Sequence, residues 1–289
     1  YKLSVDKVNL SFLANASYVK NEIKNLGNQT GYIDKESLPT LGTVSRNENG
    51  YPIGYFFGYK AIGVFQTQEE IDSYISPATG KPIQPNAAPG DTKFEDLNGD
   101  GVISDDNEDR TMIGKPNPDW MVGLTVAADW NGFDLSAFFQ GSFGADVFDA
   151  LRRYELAAVN YTSDALERWT GPGTSNSMPR IVLGDTPKNF RPSTLLVHDA
   201  SFLRLRNLQV GYTLPAQLTR KAYIQRLRFY ASFDNLLTIT GYKGMDPEIG
   251  STMGIDKGVY PQARVYTFGL NLTCLLYTSP SPRDPKTSR

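Results

Sequence analysis

Two long alternating runs meet at Asn131-Gly132, and that junction leaves the chain few folds to choose from. In the first run Trp120, Val122, Leu124, Val126, Ala128 and Trp130 hold one phase, while Met121, Gly123, Thr125, Ala127 and Asp129 hold the other. In the second, Phe133, Leu135, Ala137, Phe139, Gly141 and Phe143 alternate with Asp134, Ser136, Phe138, Gln140 and Ser142. A period of two is the signature of a strand with one apolar face. Asn-Gly supplies the two positive-φ positions of a type I′ turn, so Trp130 and Phe133 are expected to pair across the hairpin on the same face. Ten steps from Trp120 to Trp130, at roughly 3.3 Å each, advance about 33 Å. Tilted by about 40°, such a strand climbs roughly 25 Å, the height of the apolar band in an outer-membrane barrel, with an aromatic at each edge.

Other segments repeat the pattern. Val8, Leu10, Phe12, Ala14, Ala16 and Tyr18 form one phase of an early strand, and Tyr1 to Val5 already alternates. The chain is therefore expected to begin inside a strand, as a piece of something longer or a processed product. Further strands are expected over 202–213, 224–236 and 259–273, with 51–65 as a weaker candidate, about seven in all. In the 202–213 segment Leu203 and Leu205 lie on one phase and Leu208, Val210 and Tyr212 on the other, so a bulge near Arg206-Asn207 is needed to restore register. Connections are short at 131–132 and 214–223 but long at 66–119, 144–201 and 241–258. Short turns at one end and long loops at the other describe an outer-membrane barrel. The segment 20–50 is an exception, long where the scheme wants a short turn.

Composition narrows the function. Lys plus Arg number 29 against 31 Asp plus Glu, a net charge of −2, and no basic stretch interleaves with aromatics, which argues against nucleic acid. No apolar run approaches the roughly 18 to 20 residues of a spanning helix. A single Cys, Cys274, precludes an internal disulfide, and a single His, His198, precludes a His-rich metal site. Aromatic residues at 12% in an otherwise polar chain with 26 Gly fit many strands that are greasy on one side and wet on the other.

Several segments resemble the SusC/RagA class of TonB-linked outer-membrane transporters. They are Asn15 to Ile23, Gly50-Tyr51-Pro52-Ile53-Gly54-Tyr55-Phe56-Phe57-Gly58-Tyr59-Lys60, Gly63 to Thr67, Pro89-Gly90-Asp91, Asp96-Leu97-Asn98-Gly99-Asp100-Gly101 and Asp109 to Pro118. Phe202-Leu203-Arg204-Leu205-Arg206-Asn207-Leu208, Gly211 to Pro215, Asn235-Leu236 and Gly241 to Glu248 complete the set. The resemblance implies an all-β chain, an incomplete C-terminal sector of an antiparallel transmembrane barrel of the roughly 22-stranded plugged type. It further implies import of oligosaccharides or peptides across a Gram-negative outer membrane, energy from TonB through an N-terminal region outside this chain, and a SusD-like surface lipoprotein as lid. On this reading the apolar phase faces lipid and Arg228, Tyr230 and Asp234 face the lumen.

Asp96, Asn98, Asp100, Gly101 and Ile103 match the opening of an EF-hand-like loop, with oxygen ligands at positions 1, 3 and 5 and the Val102 carbonyl at 7. Position 12 is Asn107; by the resemblance, the closing acid is Asp109. A structural Ca²⁺ is the expectation, against a metal-free turn. No catalytic role is expected: Asp105, Asp106, Glu108 and Asp109 crowd one loop, and His198 has no Ser or Cys motif beside it. The rival function is a soluble, extracellular, calcium-binding β-sandwich that binds carbohydrate. Residues 1–273 are read as barrel. The last stretch, 274–289, with three prolines within six residues, resembles a translated sequencing or vector artefact and is set aside.

Overall fold

The computed structural model describes residues 1–105, 107–156, 160–249 and 253–274. Its main feature is a wall of seven antiparallel strands: β1 (Lys2–Val5), β2 (Val8–Tyr18), β3 (Trp120–Trp130), β4 (Phe133–Phe143), β5 (Phe202–Thr213), β6 (Ile224–Thr240) and β7 (Val265–Cys274). Each strand pairs with the next in the chain, an up-and-down meander. No helix among the described residues is long and apolar enough to cross a membrane.

The β3–β4 hairpin forms as its sequence dictates. Asn131 and Gly132 take φ of 48° and 92°, Trp130 faces Phe133, and their rings stack with centroids 6.2 Å apart. Register then carries one apolar row across all seven strands: Val5, Val8, Trp130, Phe133, Tyr212, Phe229 and Leu270. The opposite edge of the band is marked by Tyr18, Trp120 and Phe143. Between these girdles the apolar face is uncovered, with Leu124 39%, Leu135 38% and Phe268 77% exposed. A sandwich would cover that face with a second sheet. None packs there among the described residues, so the soluble rival loses its core.

The anticipated bulge is present on both sides of β5. Register shifts between Phe138 and Phe139 of β4 against β5, which leaves Arg206 as the extra residue on that side, and between Leu205 and Asn207 against β6, where Arg206 faces both Asn235 and Leu236 and the extra residue lies in β6. The bulge flips the phase, so Leu203, Leu205, Leu208 and Val210 all stay on the apolar face.

One strand assignment is corrected. Residues 51–65 do not join the wall; the seventh strand is β1. Instead Tyr55–Tyr59 lies in a four-stranded sheet with Arg110–Gly114, Ser45–Glu48 and Tyr32–Asp34, and Ala61–Val64 pairs with Thr92–Phe94. The physical reason is that Tyr55–Tyr59 is buried at every position, on both faces, whereas a strand of this wall keeps its apolar face outward. The correction also removes the exception at 20–50. All of 19–119 is one connection on the long-loop side, and the short side holds 6–7, 131–132 and 214–223. Two strand ends move as well, β6 running on to Thr240 and β7 beginning at Val265, so the third long loop is 241–264.

The three long connections fold together into a layer beyond the wall. Leu38, Val44 and Phe56 from the first, Phe148, Ala150 and Leu196 from the second and Ile255 from the third form one buried cluster. A short three-stranded sheet joins the second and third, with Asp146–Asp149 between Val197–Asp199 and Ile255–Asp256. The expected foreign tail lies outside the described residues from 275 onward, while Cys274 still sits in the ladder opposite Ile224 and is exposed.

Candidate functional site

The polar phase of the wall carries the chemistry. Arg228 on β6 reaches across β5 to Asp134 on β4, with Nε to Oδ1 at 2.9 Å and Nη2 to Oδ2 at 2.5 Å, and also bonds Gln209 at 3.0 Å. That span needs a gap in β5, and Gly211 provides it: a Cβ there would come within 2.5 Å of Arg228 and 2.6 Å of Asp134. Asp234 accepts from Asn207 at 2.6 Å, and the Tyr230 ring fills the space over Gly269. All three residues expected on the polar phase therefore stand there, each engaged with a neighbouring strand.

Nearer the loop layer the same face holds an ion cluster that alternation could not reveal. Arg204, 1% exposed, donates from Nε to Thr238 at 3.0 Å, from Nη1 to Glu248 at 3.0 Å and from Nη2 to Asp246. Arg206 donates to Gln140 at 2.7 Å, to Asn235 at 3.1 Å and to both oxygens of Glu248 at 2.6 and 2.7 Å. Asp246 also accepts the amides of Glu248 and Gln262, each at 2.9 Å. Burial works to raise the Asp246 carboxyl, but those amides and the Arg204 guanidinium outweigh it and hold its pKa below the ordinary value. The partners lie some forty residues apart in sequence. Only the broken alternation around Arg206 and the two arginines flanking Leu205 signal them beforehand.

In the loop layer, a cleft of about 690 Å³ is lined by Lys81, Gln84, Asn86, Asp91, Lys188 and Arg191 among others. Asp91 on its wall is held by Arg180, at 2.6 and 3.1 Å, and by the Asn189 amide nitrogen at 3.0 Å. Asp185 accepts the backbone N–H groups of Asn189 and Phe190, both at 2.9 Å, yet burial pushes its pKa up to about 6. His198 lies 3.8 Å from Asp149, and burial pushes its imidazole below its ordinary value.

The Asp96 loop borders that cleft through Gly101, Val102 and Ile103. Its side chains fold back on its own amides: Asp96 accepts from Gly99 and Gly101 at 2.8 and 2.9 Å, Asn98 from Asp100 at 3.0 Å, and Asp100 from Val102 at 2.8 Å. Asp109, fully buried, closes the loop by accepting Leu97 and Ser104 amides at 3.1 and 3.0 Å. Each of these oxygens keeps a second lone pair, a donor set suited to a hard cation. Among the described residues no group of three or more His, Cys, Asp and Glu side chains converges as a metal cage. Hydrogen bonds to its own amides give the loop its shape. Asp106 lies outside the described residues.

No family model matches the chain. It is similar to TonB-dependent receptor P3 of Formosa agariphila, 34% identical over 234 residues that take in 77% of this chain and 22% of that protein. TonB-dependent receptor SusC of Bacteroides thetaiotaomicron is 30% identical over 261 residues, 89% of this chain and 24% of that protein. The structure of the RagAB peptide transporter superposes with a TM-score of 0.70 at 26% identity, covering 94% of this chain and 28% of that one. The RagAB peptide importer in its closed-closed state gives 0.67 at 27% identity, with the same coverage. This chain spans about a quarter of the length of the curated relatives it matches.

Proposed function

The chain belongs to the SusC/RagA type of TonB-dependent receptor, and on that premise we propose that it forms one sector of an outer-membrane barrel that imports oligosaccharides or peptides. The observation that carries the reading is the two-faced wall, with an apolar face between aromatic edges and a polar face carrying linked charges, crowned on one side by a folded loop layer. Lipid cannot hydrogen-bond a backbone, so a ladder in a membrane must close on itself. Among the described residues β1 and β7 each pair on one side only, and other strands of the same barrel would complete them.

In this proposal energy arrives through TonB, and a SusD-like lipoprotein sits over the loop layer at the cell surface. The relatives named for TonB and SusC, and the RagAB structures, support both partners. Calcium in the Asp96 loop belongs to the proposal as a clasp on that layer, held by Asp96, Asn98, Asp100, the Val102 carbonyl and Asp109, and supplying no chemistry. The polar face transfers no group; it guides a hydrated solute past paired charges.

Uptake of labelled oligosaccharide and peptide panels by cells making the assembled receptor tests the reading. Accumulation of one panel that stops when TonB is deleted supports it. Uptake that is absent for both panels, or indifferent to TonB, would refute it.

A further inference from the structure

We infer that Arg206 is a positioning residue, exposed by the bulge to fasten loop 241–264 against the polar face of the wall as a fixed post of the pore. The bulge costs ladder pairing on both sides of β5, and an interruption of that kind in a wall strand needs a compensating gain. Here the gain is visible. Arg206, the residue extra against β4, carries the one guanidinium among the described residues that touches β4 through Gln140, β6 through Asn235 and the loop through both oxygens of Glu248. Bidentate pairing of this kind fixes direction as well as distance.

Neighbouring contacts fix the loop at both ends. Asp246 near its start binds the amide of Gln262 near its end at 2.9 Å. Asn235, in a left-handed conformation with φ of 53°, accepts from Arg206 and passes its own amide hydrogen to the Ala263 carbonyl at 2.9 Å. Tyr242, buried, donates to buried Asp256 at 2.7 Å, and Ile255–Asp256 extends the three-stranded sheet of the layer. Among the described residues of the loop, anchors at 242, 246, 248, 255–256 and 262–263 tie both of its arms to the wall and the layer. Movement during import is thereby assigned to parts of the receptor other than this loop. The inference deepens the import reading and rests on it for the word pore.

The test is amide hydrogen exchange of loop 241–264 in the assembled, purified receptor. Arg204 is unsuitable for substitution, because its loss would strand the buried Asp246 carboxylate. Arg206→Glu and Glu248→Arg, each alone, are expected to speed exchange of the 243–249 amides on the order of tenfold. The double variant restores an opposite-charge pair between positions 206 and 248 while leaving Arg204 beside the substituted position 248, and is expected to slow exchange part of the way back. Asn235→Ala, which removes that side chain's bonds to Arg206 and to the Ala263 carbonyl and leaves every charge in place, is expected to loosen the loop while β5 and β6 amides stay protected. Unchanged loop exchange in the single variants and Asn235→Ala would overturn the inference, as would a double variant no slower than the singles. Because exchange is read without transport, failure of this test leaves the import reading standing, and failure of energised uptake leaves the clamp standing.

Discussion

Asp185 sits in surroundings that conflict with its charge. Burial raises its pKa to about 6 from an ordinary 3.8, the nearby Glu155 charge adds to the rise, and the amides of Phe190 and Asn189 only partly offset it. A carboxyl whose folded value lies above its unfolded one binds protons more readily when folded, so acidification stabilises the fold. The loop layer is expected to gain stability as pH falls through about 6, with the gain complete near the ordinary carboxyl value. Asp185→Asn should flatten that dependence. Exchange of the 185–190 amides, corrected for intrinsic pH effects, is the readout, and protection that rises with pH instead would contradict the assignment. The Asp96 loop offers a second residue-scale prediction. Calorimetric titration with calcium should give heat that Asp96→Ala/Asp100→Ala abolishes; identical traces from both proteins would end the calcium proposal and leave the hydrogen-bond clasp as the loop's role. Residue-scale legibility was uneven for a physical reason. Arg228, Tyr230 and Asp234 follow from phase, which is local, and the spacing of Asp96, Asn98 and Asp100 is local as well. Arg204 and Arg206 find Asp246 and Glu248 only after the chain has turned back along β6.

Elements were readable wherever a wet and a greasy face alternate. Trp120–Trp130 and Phe133–Phe143 came directly from period two, and the Asn131-Gly132 turn fixed their register. Even the β5 bulge was legible, because a phase flip between Leu205 and Leu208 has no other repair that keeps both on one face. Tyr55–Tyr59 misled because burial on both faces erases alternation and leaves a continuous apolar run. Once that strand is moved to the loop layer, the alternation of short and long connections becomes regular. The layer's own architecture was not legible: its core joins Val44, Phe148 and Ile255 from three separate connections, and no local pattern links them.

For the whole molecule, the apolar row from Val5 to Leu270 and the polar network from Asp134 to Glu248 are two sides of one sheet, and each needs a different solvent. That division, more than any single residue, is what supports the proposal of a membrane wall. A cysteine scan along β3 in the assembled receptor, with Cys274→Ser as background and an environment-sensitive fluorophore on each new thiol, measures it directly. Labels at Val122, Leu124, Val126 and Ala128 should be quenched by nitroxide lipids, and labels at Met121, Gly123, Thr125 and Ala127 by aqueous iodide. Quenching without that period of two, or with the two phases reversed, would contradict the account.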